Sequence, residues 1–280
     1  MDVTPASETA ASETPTLALV EAAFFDLDKT VIAKASMVAF GKPLYRAGLV
    51  SRWLVLRALW GQLVYLQVGH SDAQMERSRA AVLRLTKGWD QAKVSAVVRD
   101  ALDEVIEPIV YDEALALIRS HREAGRRVFI VSASPIEVVA PLAAYLQVDD
   151  AIATRAKVDE HGRYTGEVEF SSHGTNKVIA MEELAERYHL DLGASWAYSD
   201  SVTDLPMLEA VGHPVAVNPD RELRRAAVER DWQILTFALE VPLRSRVSMP
   251  SPGQTAAGAA GLAGVGAGLA AWWWLRRPRH

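Results

Sequence analysis

The sequence predicts an α/β protein built on a parallel sheet with helices on both faces and a helical insertion after the first strand. Three observations predict it. Apolar runs of strand length alternate with helix-type patterns over most of the chain. Those runs end on polar residues, Asp26, Ser132 and Asp200, where parallel strands of such sheets hand over to ligands. Residues 36–107 break the alternation, reading as consecutive helices.

The elements follow in order. Residues 1–16 are rich in Ser, Thr, Glu and Pro and lack large apolar side chains, so a disordered segment is expected there. Residues 17–25 (LALVEAAFF) are dense in apolar side chains, as a strand buried on both faces requires. Residues 17–35 and 108–243 together form the expected core, and 36–107 the helical cap. Within the cap, Ser71 and Trp89–Asp90 mark two helix starts, and Arg57 interrupts the apolar stretch 53–68. After Pro108, residues 112–125 carry acids in the first turn and Gly125 after the last, as a helix should. RRVFIVSAS (126–134) is a strand running into a turn. Ser134, Pro135 and Glu137 read as N-cap, N1 and N3 of the next helix, a capping box. Residues 151–170 read as a hairpin, NKVIAMEELAERYHL as a helix, SWAYSD as a strand ending on Asp200, TDLPMLEAVG as a short helix closed by Gly212, and PVAVN as a strand.

Composition narrows the chemistry. Half of the 280 residues are hydrophobic, which supports a sizeable core. The net charge of −5 gives no bulk attraction to nucleic acid. The absence of cysteine excludes disulfides, thiolate catalysis and cysteine-based metal sites. No basic segment followed by an apolar run opens the chain, so a cytoplasmic catalytic domain is expected.

The C-terminal end has its own character. Residues 244–255 read as a linker, and residues 256–275 carry no charge. Twenty helical residues span about 30 Å, the thickness of a bilayer's hydrocarbon. The following WWWLRRPRH supplies an aromatic belt and a basic flank, so a membrane-anchoring helix is expected there, against a low-complexity tail.

Asp26, Asp28, Ser132, Lys177, Asp200 and Asp204 are far apart in sequence, yet the topology brings them to one rim. Taken singly they have plainer readings: a solvated turn for the Asp26/Asp28 pair, a capping serine, a surface lysine, an aspartate at a helix start. Taken together, acids with a lysine and a serine suit phosphate chemistry with Mg²⁺, which prefers oxygen ligands and is completed by substrate phosphate. One carboxylate can attack phosphorus, and a second carboxyl can serve as acid and then base. Ser132 and the helix amides after it can hold phosphate oxygens.

DLDKTVI, VSAS, NKV and YSDSVTDLPML resemble the four motifs of the haloacid dehalogenase-like hydrolase superfamily, over about residues 20–240. The helical insertion between the first and second motifs is similar to the phosphoserine phosphatase-like branch, subfamily IB. The resemblance implies a Rossmann-like core and a Mg²⁺-dependent phosphatase acting on a small-molecule phosphate monoester. It implies Asp26 as nucleophile and Asp28 as general acid/base. Mg²⁺ would be held by the Asp26 carboxylate, the Asp28 carbonyl and Asp200, with Asp204 supporting, while Ser132 and Lys177 bind the phosphoryl group. Two departures matter. Ala35 stands where phosphoserine phosphatases usually carry a glutamate for the substrate's amino group, and Ser199 and Ser201 replace the usual glycines beside the third aspartate. With an apolar cap, they make a lipid phosphate monoester an alternative substrate. A catalytically silent, membrane-tethered interaction protein is the rival from another class.

Overall fold

The computed structural model describes residues 19–50 and 86–238. The expected disordered segment, the cap stretch 51–85 with Ser71 and Arg57, the linker and the expected anchor at 256–275 lie outside the described residues. Among the described residues, no helix is long and apolar enough to cross a membrane.

One sheet organises the described chain. Its strands are β1 (Ala22–Asp26), β2 (Arg127–Pro135), β3 (Asp150–Val158), β4 (Tyr164–Phe170), β5 (Trp196–Ser199), β6 (His213–Val217) and β7 (Gln233–Leu235). They lie in the order β4-β3-β2-β1-β5-β6-β7. Every pairing is parallel except β3 with β4, the expected hairpin. β1 is central and buried along its whole length. Its side chains alternate between two cores, as strand geometry demands. Phe24 stacks on Phe129 at 5.2 Å on one face, and Phe25 on Tyr198 at 4.4 Å on the other. The strand is shorter than the sequence predicts. It begins at Ala22, while Val20 makes only an isolated bridge to Leu190.

The helices are α1 (Ser36–Ala39), α2 (Gly41–Arg46), α3 (Gln91–Asp100), α4 (Leu102–Ile106), α5 (Asp112–Glu123), α6 (Ile136–Tyr145), α7 (Thr175–Tyr188), α8 (Leu205–Glu209) and α9 (Arg221–Glu229). α1 to α4 are the described parts of the cap. Phe40, Leu44, Val94, Val98 and Ile106 bury their side chains in the same core as Phe25 and Tyr198. The two ends of the cap are tied together at its stem. Ala33 donates to the Ile109 carbonyl and Tyr111 to that of Val31. Asp90 caps α3, as expected, by accepting from the Lys93 amide at 2.9 Å.

Two local expectations fail for physical reasons. Ser134 does not cap α6. β2 continues through Pro135, which takes the N-cap position, and the Ser134 hydroxyl turns toward the rim of the sheet. Glu137 is buried and accepts from Gln91 of the cap at 2.8 Å, so it joins cap to core and closes no capping box. Gly212 does not cap a helix either: α8 ends at Glu209. Glycine is needed there because a Cβ would sit 1.7 Å from the Gly193 carbonyl oxygen.

Candidate active site

The site lies at the carboxyl ends of β1, β2 and β5. β2 and β5 flank β1 on opposite sides, so the chain reverses direction across the sheet at this point, where open α/β sheets form their crevice. Phe25 pairs with Tyr198 in the β1–β5 register. Asp26 and Asp200 therefore emerge at the ends of neighbouring strands, which run about 4.8 Å apart.

Lys177 joins the parts. It sits in the first turn of α7, and its ammonium is 2.8 Å from Asp26 Oδ1 and 2.8 Å from Asp204 Oδ1. It also donates to the Val131 carbonyl at 3.3 Å. Only 1% of the residue is exposed. Burial opposes its charge, but the two carboxylates outweigh that and hold its pKa above the usual lysine range. Burial pushes the Asp26 carboxyl well above the usual range against the pull of Lys177, with Asp204 and Asp28 adding to the rise. Burial likewise pushes Asp200 up to about 6, against the charge of Lys29.

The remaining site residues divide between contact and support. Both Asp204 oxygens are engaged, Oδ1 by Lys177 and Oδ2 by the Ser199 hydroxyl at 2.7 Å, which fits a supporting place. The exposed Lys29 ammonium lies 3.9 Å from the Asp200 carboxylate, and the Asp200 carbonyl accepts from the Asp220 amide. Ser132 is buried, and its Oγ accepts from the Ser134 amide at 3.1 Å. Asp28 accepts from the Ser36 amide at 2.8 Å and from the Ser134 hydroxyl at 3.1 Å. Thr30 is buried beside them, with no hydrogen-bond partner for its hydroxyl.

Three contributors escaped the sequence reading. Asp220 accepts from the amides of Leu223 and Val202, capping α9 and bracing the Asp200 loop. A Pro-Asp pair before a helical pattern was the available signal. Ser36 and Ser134 bind Asp28 with no spacing rule to announce them.

The donor set suits a divalent cation. Asp26, Asp28, Asp200 and Asp204, if ionised, carry four negative charges against Lys177 and Lys29, which leaves a charge of −2 at the rim. Burial is the main reason the Asp26 and Asp200 carboxyls are raised, and the neighbouring carboxylates add to it. Among the described residues, no three acidic or histidine side chains converge closely enough to enclose a metal by themselves. Mg²⁺ needs no such cage, since it keeps waters and takes oxygens from substrate phosphate.

A family model described as haloacid dehalogenase-like hydrolase matches residues 23–209, from β1 through α8. The chain belongs to the haloacid dehalogenase-like hydrolase family. Three curated relatives match about nine-tenths of the chain. It is 48% identical over 262 residues to "Inhibition of morphological differentiation protein" of Streptomyces azureus, covering 92% of this chain and 94% of that one. It is 46% identical over 257 residues to "Probable phosphatase Rv3661" of Mycobacterium tuberculosis, covering 91% of this chain and 89% of that one. It is 34% identical over 261 residues to "Phosphoserine phosphatase SerB1" of the same organism, covering 92% and 83%. The residues singled out in the four motifs lie along one rim of the sheet, where Lys177 contacts both Asp26 and Asp204.

Proposed function

We propose that the protein is a Mg²⁺-dependent phosphatase that hydrolyses a phosphate monoester through an aspartyl-phosphate on Asp26. The bridge from Lys177 to both Asp26 and Asp204, at 2.8 Å each, carries this reading. A buried cation beside the Asp26 carboxylate supports this role for it. The relatives described as phosphatases support it.

Each residue then has a defined task. Asp26 Oδ attacks phosphorus, forming a P–O bond as the ester P–O bond breaks. Asp28 gives its proton to the departing alkoxide. It then takes a proton from the water that attacks the aspartyl-phosphate, which releases phosphate and restores Asp26. Lys177 and Ser132 hold phosphoryl oxygens, since transfer depends mostly on positioning and charge. The Asp26 carboxylate, the Asp28 carbonyl and Asp200 would hold Mg²⁺, with Asp204 in support. When bound, the ion would offset charge on the carboxylates and the phosphate.

The substrate class is narrowed by Ala35, the residue just before α1, which offers no charge to a substrate's amino group. Exposed Met37 and Val38 on the same helix favour a less polar alcohol, so a lipid phosphate monoester is the second reading. A panel of phosphoserine, sugar phosphates, nucleotides and lysophospholipid phosphates tests both. Magnesium-dependent turnover lost in Asp26→Asn supports the enzyme; no turnover of any ester would support the silent interaction protein. Strict preference for small polar esters would remove the lipid reading.

A further inference from the structure

The Asp28 carboxylate is held at both oxygens. The Ser36 backbone amide donates to Oδ1 at 2.8 Å, and the Ser134 hydroxyl donates to Oδ2 at 3.1 Å. The Ser36 and Ser134 hydroxyls are 2.8 Å apart. While Asp28 is ionised, Ser134 spends its proton on it, so Ser36 donates to Ser134, and the order of the chain is Ser36 to Ser134 to Asp28. Both serines are buried, Ser36 completely. No strand or helix ladder needs either hydroxyl, and Ser134 does not cap the helix that follows it.

The two donors come from different parts of the molecule. Ser134 lies on β2, in the rigid sheet, two residues beyond Ser132. Ser36 is the first residue of α1, where the chain enters the cap. The turn beneath is pinned as well: Lys29 donates to the Ile32 carbonyl, and Ala33 to Ile109 across the cap stem. The backbone around Asp28 is thereby fixed, and the two serines set where its side chain points.

We infer that Ser134 and Ser36 are positioning residues for the acid step, clamping Asp28 between the sheet and the first turn of the cap. This rests on the phosphatase reading above. Asp28 must deliver a proton to the leaving oxygen as the ester P–O bond breaks and the bond to Asp26 forms. A carboxyl free to rotate would meet that oxygen less often, and orientation of this kind contributes strongly to rate. Because one donor is the cap's own amide, the direction of the acid depends on where α1 sits.

The need for a proton differs between leaving groups, and that gives the test. p-Nitrophenolate departs without one, whereas an alkoxide requires one. Full-length wild type, Ser134→Ala, Ser134→Thr and Ser36→Ala are assayed with p-nitrophenyl phosphate and n-butyl phosphate. Ser134→Ala keeps the amide that bonds Ser132 and removes only the hydroxyl. Its kcat on butyl phosphate is expected to fall roughly tenfold further than on p-nitrophenyl phosphate, with both KM values moving less than about twofold. Ser134→Thr should restore the ratio, and Ser36→Ala should show a smaller loss of the same selectivity. Equal losses on the two esters, or failure of threonine to restore the ratio, overturn this inference while leaving the phosphatase reading intact. A wild type inert toward both esters overturns that reading and this inference with it.

Discussion

Ser199 donates a 2.7 Å hydrogen bond to Asp204, five residues further along, and Asp204 turns its other oxygen to Lys177. The serine stands where glycine is usual in the motif, so this chain has an added anchor on a buried carboxylate. Hydrogen bonds to charged groups contribute about 1.5–3 kcal/mol when buried. Ser199→Gly should lower stability by about 2 kcal/mol, and kcat/KM should drop roughly tenfold as Asp204 loosens its hold on Lys177. Denaturant unfolding and steady-state kinetics check the two effects separately. A variant equal to wild type in both would mean that Lys177 alone fixes Asp204.

Removing the lysine itself should do more. Lys177→Met keeps much of the volume and leaves Asp26 and Asp204 buried without their cation. Breaking a buried pair from one side costs about 3–5 kcal/mol. Turnover should vanish, and urea unfolding should shift to a lower midpoint. Adding Asp204→Asn to Lys177→Met should recover part of the stability, since one orphaned charge is gone, but no activity.

Gly212 offers a test of pure close packing. Its hypothetical Cβ meets the Gly193 carbonyl oxygen at 1.7 Å, and backbone cannot step aside as a side chain can. Gly212→Ala should destabilise by about 3 kcal/mol or more. Gly162→Ala makes a useful contrast. It has open space around its Cβ and a φ of +72°, so its cost is one of backbone conformation alone and should be nearer 1 kcal/mol.

The difference between those glycines also shows what could be read in advance. Asp26, Asp200 and the alternating strands were legible because strand periodicity and the ends of parallel strands follow local rules. Lys177 was legible only through the motif set, since a lysine in a first helical turn looks like any surface lysine. Ser134 looked like a helix cap because Ser-Pro-x-Glu fits that pattern, but pairing of β2 with β3 extends the strand through Pro135 and moves the N-cap one residue on. Gly212 looked like a C-cap for the same reason: its partner, Gly193, comes from another turn of chain and leaves no mark nearby. β7 went unread because it is only three residues long, and α9 because five of its nine residues are charged, leaving a narrow apolar face of Leu223, Ala226 and Ala227.

His121 should make stability depend on pH. Its Nε2 is 2.8 Å from the Tyr198 hydroxyl, and its Nδ1 is buried without a partner. Phe25, Trp196 and Tyr198 surround the ring, Arg126 faces it with positive charge, and Glu21 opposes that charge. Burial first, and then Arg126, push its pKa from 6.5 down to about 4. Above pH 6.5 folded and unfolded chains both hold neutral imidazole, and this residue imposes no pH dependence. Below it the unfolded chain binds a proton that the folded chain does not, so stability falls as pH drops toward about 4. The loss is on the order of 3 kcal/mol. His121→Phe fits the same aromatic cage and removes the titration. It should cost about 1 kcal/mol at neutral pH by orphaning the Tyr198 hydroxyl, yet flatten the slope between pH 6.5 and 4.

Lys29 should tune metal affinity without holding the metal. Its backbone sits at a φ of 66°, a conformation that non-glycine residues rarely adopt, and its ammonium lies 3.9 Å from Asp200. Burial pushes Asp200 up to about 6, while Lys29 draws it down, so the lysine partly supplies the charge that a cation would bring. Chelation by EDTA should abolish turnover and added Mg²⁺ restore it. In Lys29→Gln the competing charge is gone, and half-maximal activation should need less Mg²⁺. The lysine side chain is 65% exposed, so the effect is small, about twofold to fivefold at low salt. In about 1 M salt, where charges are screened beyond roughly 3 Å, the difference between variant and wild type should disappear. A variant that needed more Mg²⁺ would instead place Lys29 on the phosphate, where its loss weakens the ternary complex.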